Sequence, residues 1–238
     1  MNANDPYAWP TAHAPQNVPG GYPPPQPFPG YGAAVPIAYG PGARYGYVPL
    51  GWRTPVASVA LVLTGVFAIV SGLLQQGDLH PESTDPDNLV LALGVLLSAV
   101  AYLGSLALAA ILFSIWIYRA CANAWAFGSP MSITPGWAVG WFFVPFANLV
   151  KPFRAMKEIW FGSDPSAAGI TPGVLGAWWG TWIISGIVWN VSSRIDGSHL
   201  EVVAGLLTAV AAVFAVLVMR RVAANQRRLA DGRNPAWP

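Results

Sequence analysis

Two polar residues, Arg119 and Asn123, stand four positions apart at the end of a long apolar run, which puts them on one face of a helix. A second polar group follows in a tryptophan-rich segment and contains Pro145, Asn148, Pro152, Arg154, Glu158 and Trp160. The Asn148 amide both donates and accepts, so it can bridge backbone groups that Pro145 leaves without partners. We predict either a polar cluster in which Arg119 and Asn123 complete a network around Asn148, or simple anchoring of these two residues at the membrane interface. Arg154 and Glu158, again four apart, are expected to form a surface pair.

The chemistry open to this cluster is hydrogen bonding and ion or solute binding. No Walker A, HExxH or GxSxG pattern occurs, and no His, Asp or Glu lies within an apolar run. This pattern argues against intramembrane aspartyl proteolysis, a carboxylate proton relay and bis-histidine haem. The single cysteine, Cys121, has no partner at metal-ligand spacing and is expected to be a packing residue. We therefore expect a protein that is not an enzyme, with no catalytic residue, cofactor or metal.

The elements that position these residues are apolar helices. Charged residues make up 9% of the chain, against about 25% in soluble domains, which predicts an all-α integral membrane protein. A membrane domain over 51–229 is predicted to contain four transmembrane helices, followed by a short cytoplasmic tail at 230–238. The spans are predicted at about 55–75, 88–118, 172–191 and 201–220.

Local signals refine these boundaries. Thr54 is predicted as the N-cap of the first helix, and Asp85-Pro86 as the start of the second. The second helix should continue to Gly128, with Trp116 and Tyr118 marking the membrane interface. Thr171-Pro172 should start the third span, and Ser198 with Glu201 reads as a capping box for the fourth.

The segment 136–161 is apolar but broken. From Trp137 to Val150 it would make about 21 Å of helix, against about 30 Å of hydrocarbon core, and Pro145 interrupts it. We predict a re-entrant or interfacial segment on the cytoplasmic side, which from Lys151 continues as an interfacial amphipathic helix.

Charge distribution predicts the orientation and the lipid partner. With four crossings and both termini in the cytoplasm, 11 of the 12 Lys and Arg residues lie inside and only Arg194 lies outside. The basic residues at the end of the last helix suit anionic lipid head groups of the bilayer. No nucleic-acid partner is expected.

Residues 1–50 form a Pro/Gly/Tyr-rich tail with 12 prolines. Such a composition cannot bury a core, so the tail is predicted to be disordered, with polyproline II character. It is either a solvated tether or a docking strip for a protein partner with an aromatic-lined groove. Two GxxxG pairs, Gly176/Gly180 and Gly136/Gly140, offer faces for a homo-oligomer.

The runs WIYRACAN at 116–123 and GWAVGWFFVPFANLVKPFRAMKEIW at 136–160 resemble a bacterial membrane-protein family, domain of unknown function 4328. The resemblance covers Arg119, Asn123, the Gly-Trp run, Pro145, Asn148, Pro152-Phe153 and Glu158-Ile159-Trp160. It implies a multi-pass protein of the bacterial plasma membrane and brings no known activity. We expect a non-enzymatic accessory or regulatory protein. The alternative is a small-solute or ion transporter or channel with a polar site at 136–160.

Overall fold

The computed structural model describes residues 45–77, 84–164, 171–195 and 199–233, which belong to a unit spanning Ala38–Pro238. Regular structure in these ranges is helical, as predicted. The α-helices are α1 (Arg53–Leu74), α2 (Pro86–Ala126), α3 (Pro135–Gly140), α4 (Lys151–Ser163), α5 (Gly173–Ser192) and α6 (Leu200–Arg233). The predicted disorder of residues 1–44 and the proposed Ser198 cap lie outside the described residues.

Four of these helices, α1, α2, α5 and α6, are long and apolar enough to cross a bilayer. Each coincides with a predicted span, so the prediction of four transmembrane helices is confirmed. The first half of α2, which begins at Pro86, carries large apolar side chains that are more than half exposed, among them Leu93, Val100 and Leu103. In a membrane this face meets lipid tails, which explains why it stays apolar without protein contacts.

The α1 and α6 helices form the closest pair in the bundle. An added Cβ at Gly65 would lie 2.8 Å from the Ala209 Cα, and one at Gly205 would lie 2.6 Å from the Ala68 carbonyl oxygen. Small residues at these positions let the two backbones touch, which is how helices gain packing energy where lipid removes the hydrophobic drive. The predicted GxxxG pairs do not serve this purpose within the chain, because Cβ atoms at Gly176 and Gly180 would meet open space.

The helix starts agree only in part with the sequence signals. Asp85 caps α2 through its side chain, with Pro86 in the first turn, and α2 ends before Gly128, which has a φ of +71°. Thr54 is not the N-cap of α1, because the helix already begins at Arg53. Its hydroxyl instead accepts a hydrogen bond from the Trp116 indole nitrogen at 3.1 Å. Trp116 is fully buried among the helices and Tyr118 is 44% exposed. That the two residues mark the membrane interface stays a prediction.

The segment 136–161, which we call the central segment, is broken as predicted. After α3 come two single 3₁₀ turns, at Trp141–Phe143 and Ala147–Leu149, before α4 begins at Lys151. Phe146 between them has a positive φ of +61° and is 87% exposed. Phe143 and Leu149 beside it are also exposed, so the segment presents an apolar tip where an interfacial or re-entrant segment would meet lipid.

Two boundaries move relative to the sequence prediction. The last helix reaches Arg233, well beyond the predicted end at 220 and into the predicted tail at 230–238. Residues 45–50, predicted as part of the tail, pack on the bundle. Leu50 is 3% exposed, and the Tyr47 ring lies 5.3 Å from that of Phe127. We call residues 45–50 the anchor strip.

The bundle has two distinct ends. At one end, Gln76 at the close of α1 donates to the Glu201 carboxylate at the start of α6. At the other, which we call the base, the anchor strip, the end of α2, the central segment and the end of α6 come together. All described Lys and Arg side chains except Arg194 lie at the base. This is the separation of charge that the four-crossing topology predicted.

Candidate functional site at the base of the bundle

Asn123 is the centre of a buried polar network at the base, and its side chain is fully buried. The amide nitrogen donates to the Val48 carbonyl at 2.9 Å and to the Gln226 side-chain oxygen at 2.8 Å. The amide oxygen accepts from the Val48 backbone N–H and from the Arg119 Nε, both at 3.1 Å. All four hydrogen-bonding positions of one amide are thus used, and two of them hold the anchor strip.

Gln226 extends the network from α6 to α4. Its side-chain nitrogen donates to the Ala120 carbonyl at 2.9 Å and to the Ser163 hydroxyl oxygen at 3.0 Å. The Ser163 hydroxyl in turn donates to the Ile159 carbonyl at 2.7 Å. Gln226 and Ser163 are each 1% exposed. Buried amides and hydroxyls are costly unless paired, so these contacts fix the relative positions of α2, α4 and α6.

Arg119 lies at the edge of the network rather than inside it. Besides its bond to Asn123, the guanidinium donates to the Gly46 carbonyl. The anchor strip is therefore held at Gly46 by Arg119 and at Val48 by Asn123. Arg119 and Asn123 share a helical face, as predicted from their spacing. Their partners differ from the prediction, because they hold the anchor strip and α6 and not the broken segment.

Pro145 and Asn148 lie in the broken segment, apart from this network. Pro145 is exposed, and Asn148 is half-buried with no side-chain hydrogen bond to another described residue. The backbone of the segment is supported from α5 instead, since the Trp179 indole nitrogen donates to the Leu149 carbonyl at 3.1 Å. The indole N–H of Trp179 therefore satisfies a backbone carbonyl of the broken segment, the role predicted for Asn148. A tryptophan can supply such a donor from an otherwise apolar helix.

The remaining predicted site residues lie on α4. Met156 and Trp160 are buried in the core, as the amphipathic pattern predicted, and Pro152 in the first turn is buried with them. Arg154 is exposed and does not pair with Glu158 in the described chain. The Glu158 carboxylate instead accepts from the Ser132 N–H at 2.8 Å and from the Ser132 hydroxyl. It thereby fixes the loop between α2 and α3 against α4.

At membrane depth the space between the helices is apolar. A crevice of about 190 Å³ lies between α1, α2, α5 and α6, lined mainly by alanines and aromatic rings such as Phe113, Trp178 and Trp182. The hydroxyls of its two threonines, Thr64 and Thr208, donate to carbonyls of their own helices at 2.9 and 2.8 Å. The crevice therefore offers a hydrated ion or polar solute no hydroxyl donors, although it can accommodate an apolar group.

Two elements of the network, Gln226 and the anchor strip, have no counterpart in the sequence prediction. Gln226 had a readable signal, since it continues the stripe of Ala215, Met219 and Val222 at helical spacing and so belongs to a buried face. The anchor strip has none, because its hydrogen bonds come from the backbone of Gly46 and Val48. Any sequence could supply those groups.

The sequence model of the family described as Domain of unknown function (DUF4328) matches residues 83–224, which is more than half of the chain. The chain belongs to this family. The match runs from the start of α2 into α6 and so includes Arg119, Asn123 and the whole central segment. There is no significant match among curated proteins or among solved structures. The fold and family together define a multi-pass membrane protein.

Proposed function

We propose that this protein is a non-enzymatic interaction or regulatory protein of a bacterial plasma membrane, with both termini in the cytoplasm. In this proposal the bundle is a fixed anchor, and the proline-rich tail that precedes the anchor strip is the part that engages a protein partner. A proline-rich segment rich in tyrosine suits an aromatic-lined groove on such a partner.

The observation that carries the proposal is the double hydrogen bond between Asn123 and Val48. The fully buried side-chain amide of Asn123 binds the backbone of Val48, at the point where the tail joins the bundle. A tether that only had to leave the membrane would not need this bond. Fixing the exit of the tail shortens the path between partner and membrane, which raises the effective concentration of the tail at the membrane surface.

The alternative, a transporter or channel, has less support. It requires a polar site at the broken segment, but Asn148 has no polar partner among the described residues, and the crevice at membrane depth is apolar. The side-chain amides of Asn123 and Gln226 are saturated by their partners, so this network has little capacity left for a passing ion.

The experiment compares the full chain with a variant that lacks residues 2–43, each carrying the same C-terminal tag in native membranes. After chemical cross-linking and quantitative mass spectrometry, we expect one or a few proteins to be enriched with the full chain and lost with the deletion. Equal recovery by both chains would contradict a role for the tail. Specific solute or ion flux in proteoliposomes of the purified full chain would favour the transporter instead.

A further inference from the structure

A second feature of the base is a cavity of about 290 Å³ between the anchor strip, the first turn of α1 and the end of α6. Its wall on the strip side includes Tyr47, Leu50 and Gly51, and its wall on α1 includes Thr54 and Pro55. On α6 it is lined by Arg220, Ala223, Ala224 and Arg227. The polar network uses none of these α6 residues.

The two arginines that line the cavity are seven residues apart on α6, so they project from the same side about 10 Å apart. Neither forms an ion pair with another described residue, and no acidic side chain lines the cavity. Asp231, which acts electrostatically on Tyr47, lies one turn beyond Arg227 on α6. The first turn of α1 has no side-chain cap, so its positive end also faces this region.

Tyr47 adds a hydrogen-bond donor to the same cavity. Burial raises the pKa of its phenol above the usual value, an effect that Arg227 opposes and Asp231 reinforces. The phenol therefore keeps its proton at neutral pH. Two cations, a phenol and a helix N-terminus are the groups that proteins use to bind phosphate.

The height of the cavity in the membrane identifies the source of that phosphate. It lies where the apolar run of α1 begins at Pro55 and that of α6 ends at Met219. Trp52 next to it is 59% exposed, with the Arg53 guanidinium 5.1 Å from its ring centroid. An exposed tryptophan beside an arginine at a helix end marks the head-group region of the bilayer.

We propose that this cavity is a specific binding site for the phosphate of an anionic phospholipid, held between Arg220 and Arg227. The proposal assigns a site to two of the basic residues at this end and leaves the others as ordinary surface charges. It stands independently of which partner the tail engages.

The test uses Arg221 and Arg228 as a matched control. They lie one position further along the same helix, carry the same charge at nearly the same height, are likewise exposed and do not line the cavity. The full chain in a neutral maltoside detergent is titrated with dioctanoyl phosphatidylglycerol, and bound lipid is counted by native mass spectrometry. Dioctanoyl phosphatidylcholine serves as the zwitterionic comparison.

We expect R220Q/R227Q to weaken phosphatidylglycerol binding about ten-fold and R221Q/R228Q to weaken it less than about two-fold. A second variant, Ala224→Phe, fills the cavity and keeps every arginine. It should weaken binding as much as R220Q/R227Q does. Thermal melts without lipid establish that each variant remains folded.

Three results would overturn the proposal. If both arginine pairs weaken binding equally, the lipid responds to overall charge and not to a site. If Ala224→Phe leaves binding unchanged, the cavity is not where the lipid sits. If millimolar inorganic phosphate displaces the lipid as well as an equal concentration of phosphatidylglycerol does, the ligand is free phosphate and not a membrane lipid.

Discussion

Asn123 and Asn148 are the two asparagines of the predicted cluster, and their surroundings differ completely. Asn123 is fully buried and uses its whole amide, whereas Asn148 is half-buried and has no side-chain hydrogen bond to a described residue. The same substitution at the two positions therefore separates a structural amide from a surface one.

We predict that Asn123→Leu lowers the free energy of unfolding by roughly 2–3 kcal/mol, because it leaves the buried Gln226 side-chain oxygen and the part-buried backbone groups of Val48 without their partner. Asn148→Leu, which the bridging role predicted from the sequence would make destabilising, should change it by less than about 0.5 kcal/mol. Thermal unfolding of each variant in detergent measures both effects. Equal effects at the two positions would contradict the network described above.

A second residue-scale prediction concerns coupling. Asn123 and Gln226 share a hydrogen bond, so Asn123→Ala and Gln226→Ala should be non-additive by roughly 0.5–3 kcal/mol in a double-mutant cycle. The cycle of Asn123→Ala with Asn148→Ala should be additive within about 0.5 kcal/mol. Coupling of Asn123 to Asn148 instead would restore the cluster expected from the sequence.

The sequence identified Arg119 and Asn123 as a pair because helical spacing fixes which residues share a face. It could not identify their partners, because these come from the strip more than 70 residues before and from α6 more than 100 residues after. Long-range pairing depends on packing that no local pattern contains. The same limit explains Glu158, whose local partner Arg154 was the obvious choice and whose actual partner is Ser132.

At the scale of elements, the contact between α1 and α6 depends on glycine at a few positions. The sequence pointed to the GxxxG motifs as contact sites between helices. The close contacts between α1 and α6 lie instead at Gly65, Gly72 and Gly205, where a Cβ would meet backbone atoms at 2.6–2.8 Å. Helix existence could be predicted from apolar length, but not which small residues face a neighbouring helix, because every face of these helices is apolar.

We predict that Gly205→Val destabilises the bundle by about 1–3 kcal/mol, because the side chain would press on the α1 backbone. Gly176→Val on α5 is the control, since its Cβ would meet open space in the same chain. Thermal melts in detergent compare the two. Equal losses at Gly205 and Gly176 would contradict the close approach of α1 and α6.

The anchor strip gives an element-scale prediction about the tail. Removing residues 2–43 should leave the melting temperature unchanged, because a proline-rich segment contributes little to a core. Removing residues 2–50 should lower it clearly, because Leu50 and the bonds from Asn123 to Val48 are lost. If both deletions behave alike, the strip does not stabilise the bundle.

At the scale of the whole molecule, the account depends on one arrangement: four crossings that leave the anchor strip, the central segment and the end of α6 on one side. Composition and the distribution of Lys and Arg predicted this arrangement, and the structure brings those parts together at the base. The side of the membrane that the base faces remains a prediction from the charges.

Cysteine labelling in intact cells tests that arrangement most directly, since the chain has a single cysteine, Cys121, which is buried. In a Cys121→Ala background, one cysteine at a time replaces the exposed Arg154, Arg194 or Arg228. A membrane-impermeant maleimide should label the cysteine at 194 in intact cells and those at 154 and 228 only after the membrane is opened. Labelling at 154 in intact cells would place the central segment outside and contradict the four-crossing base.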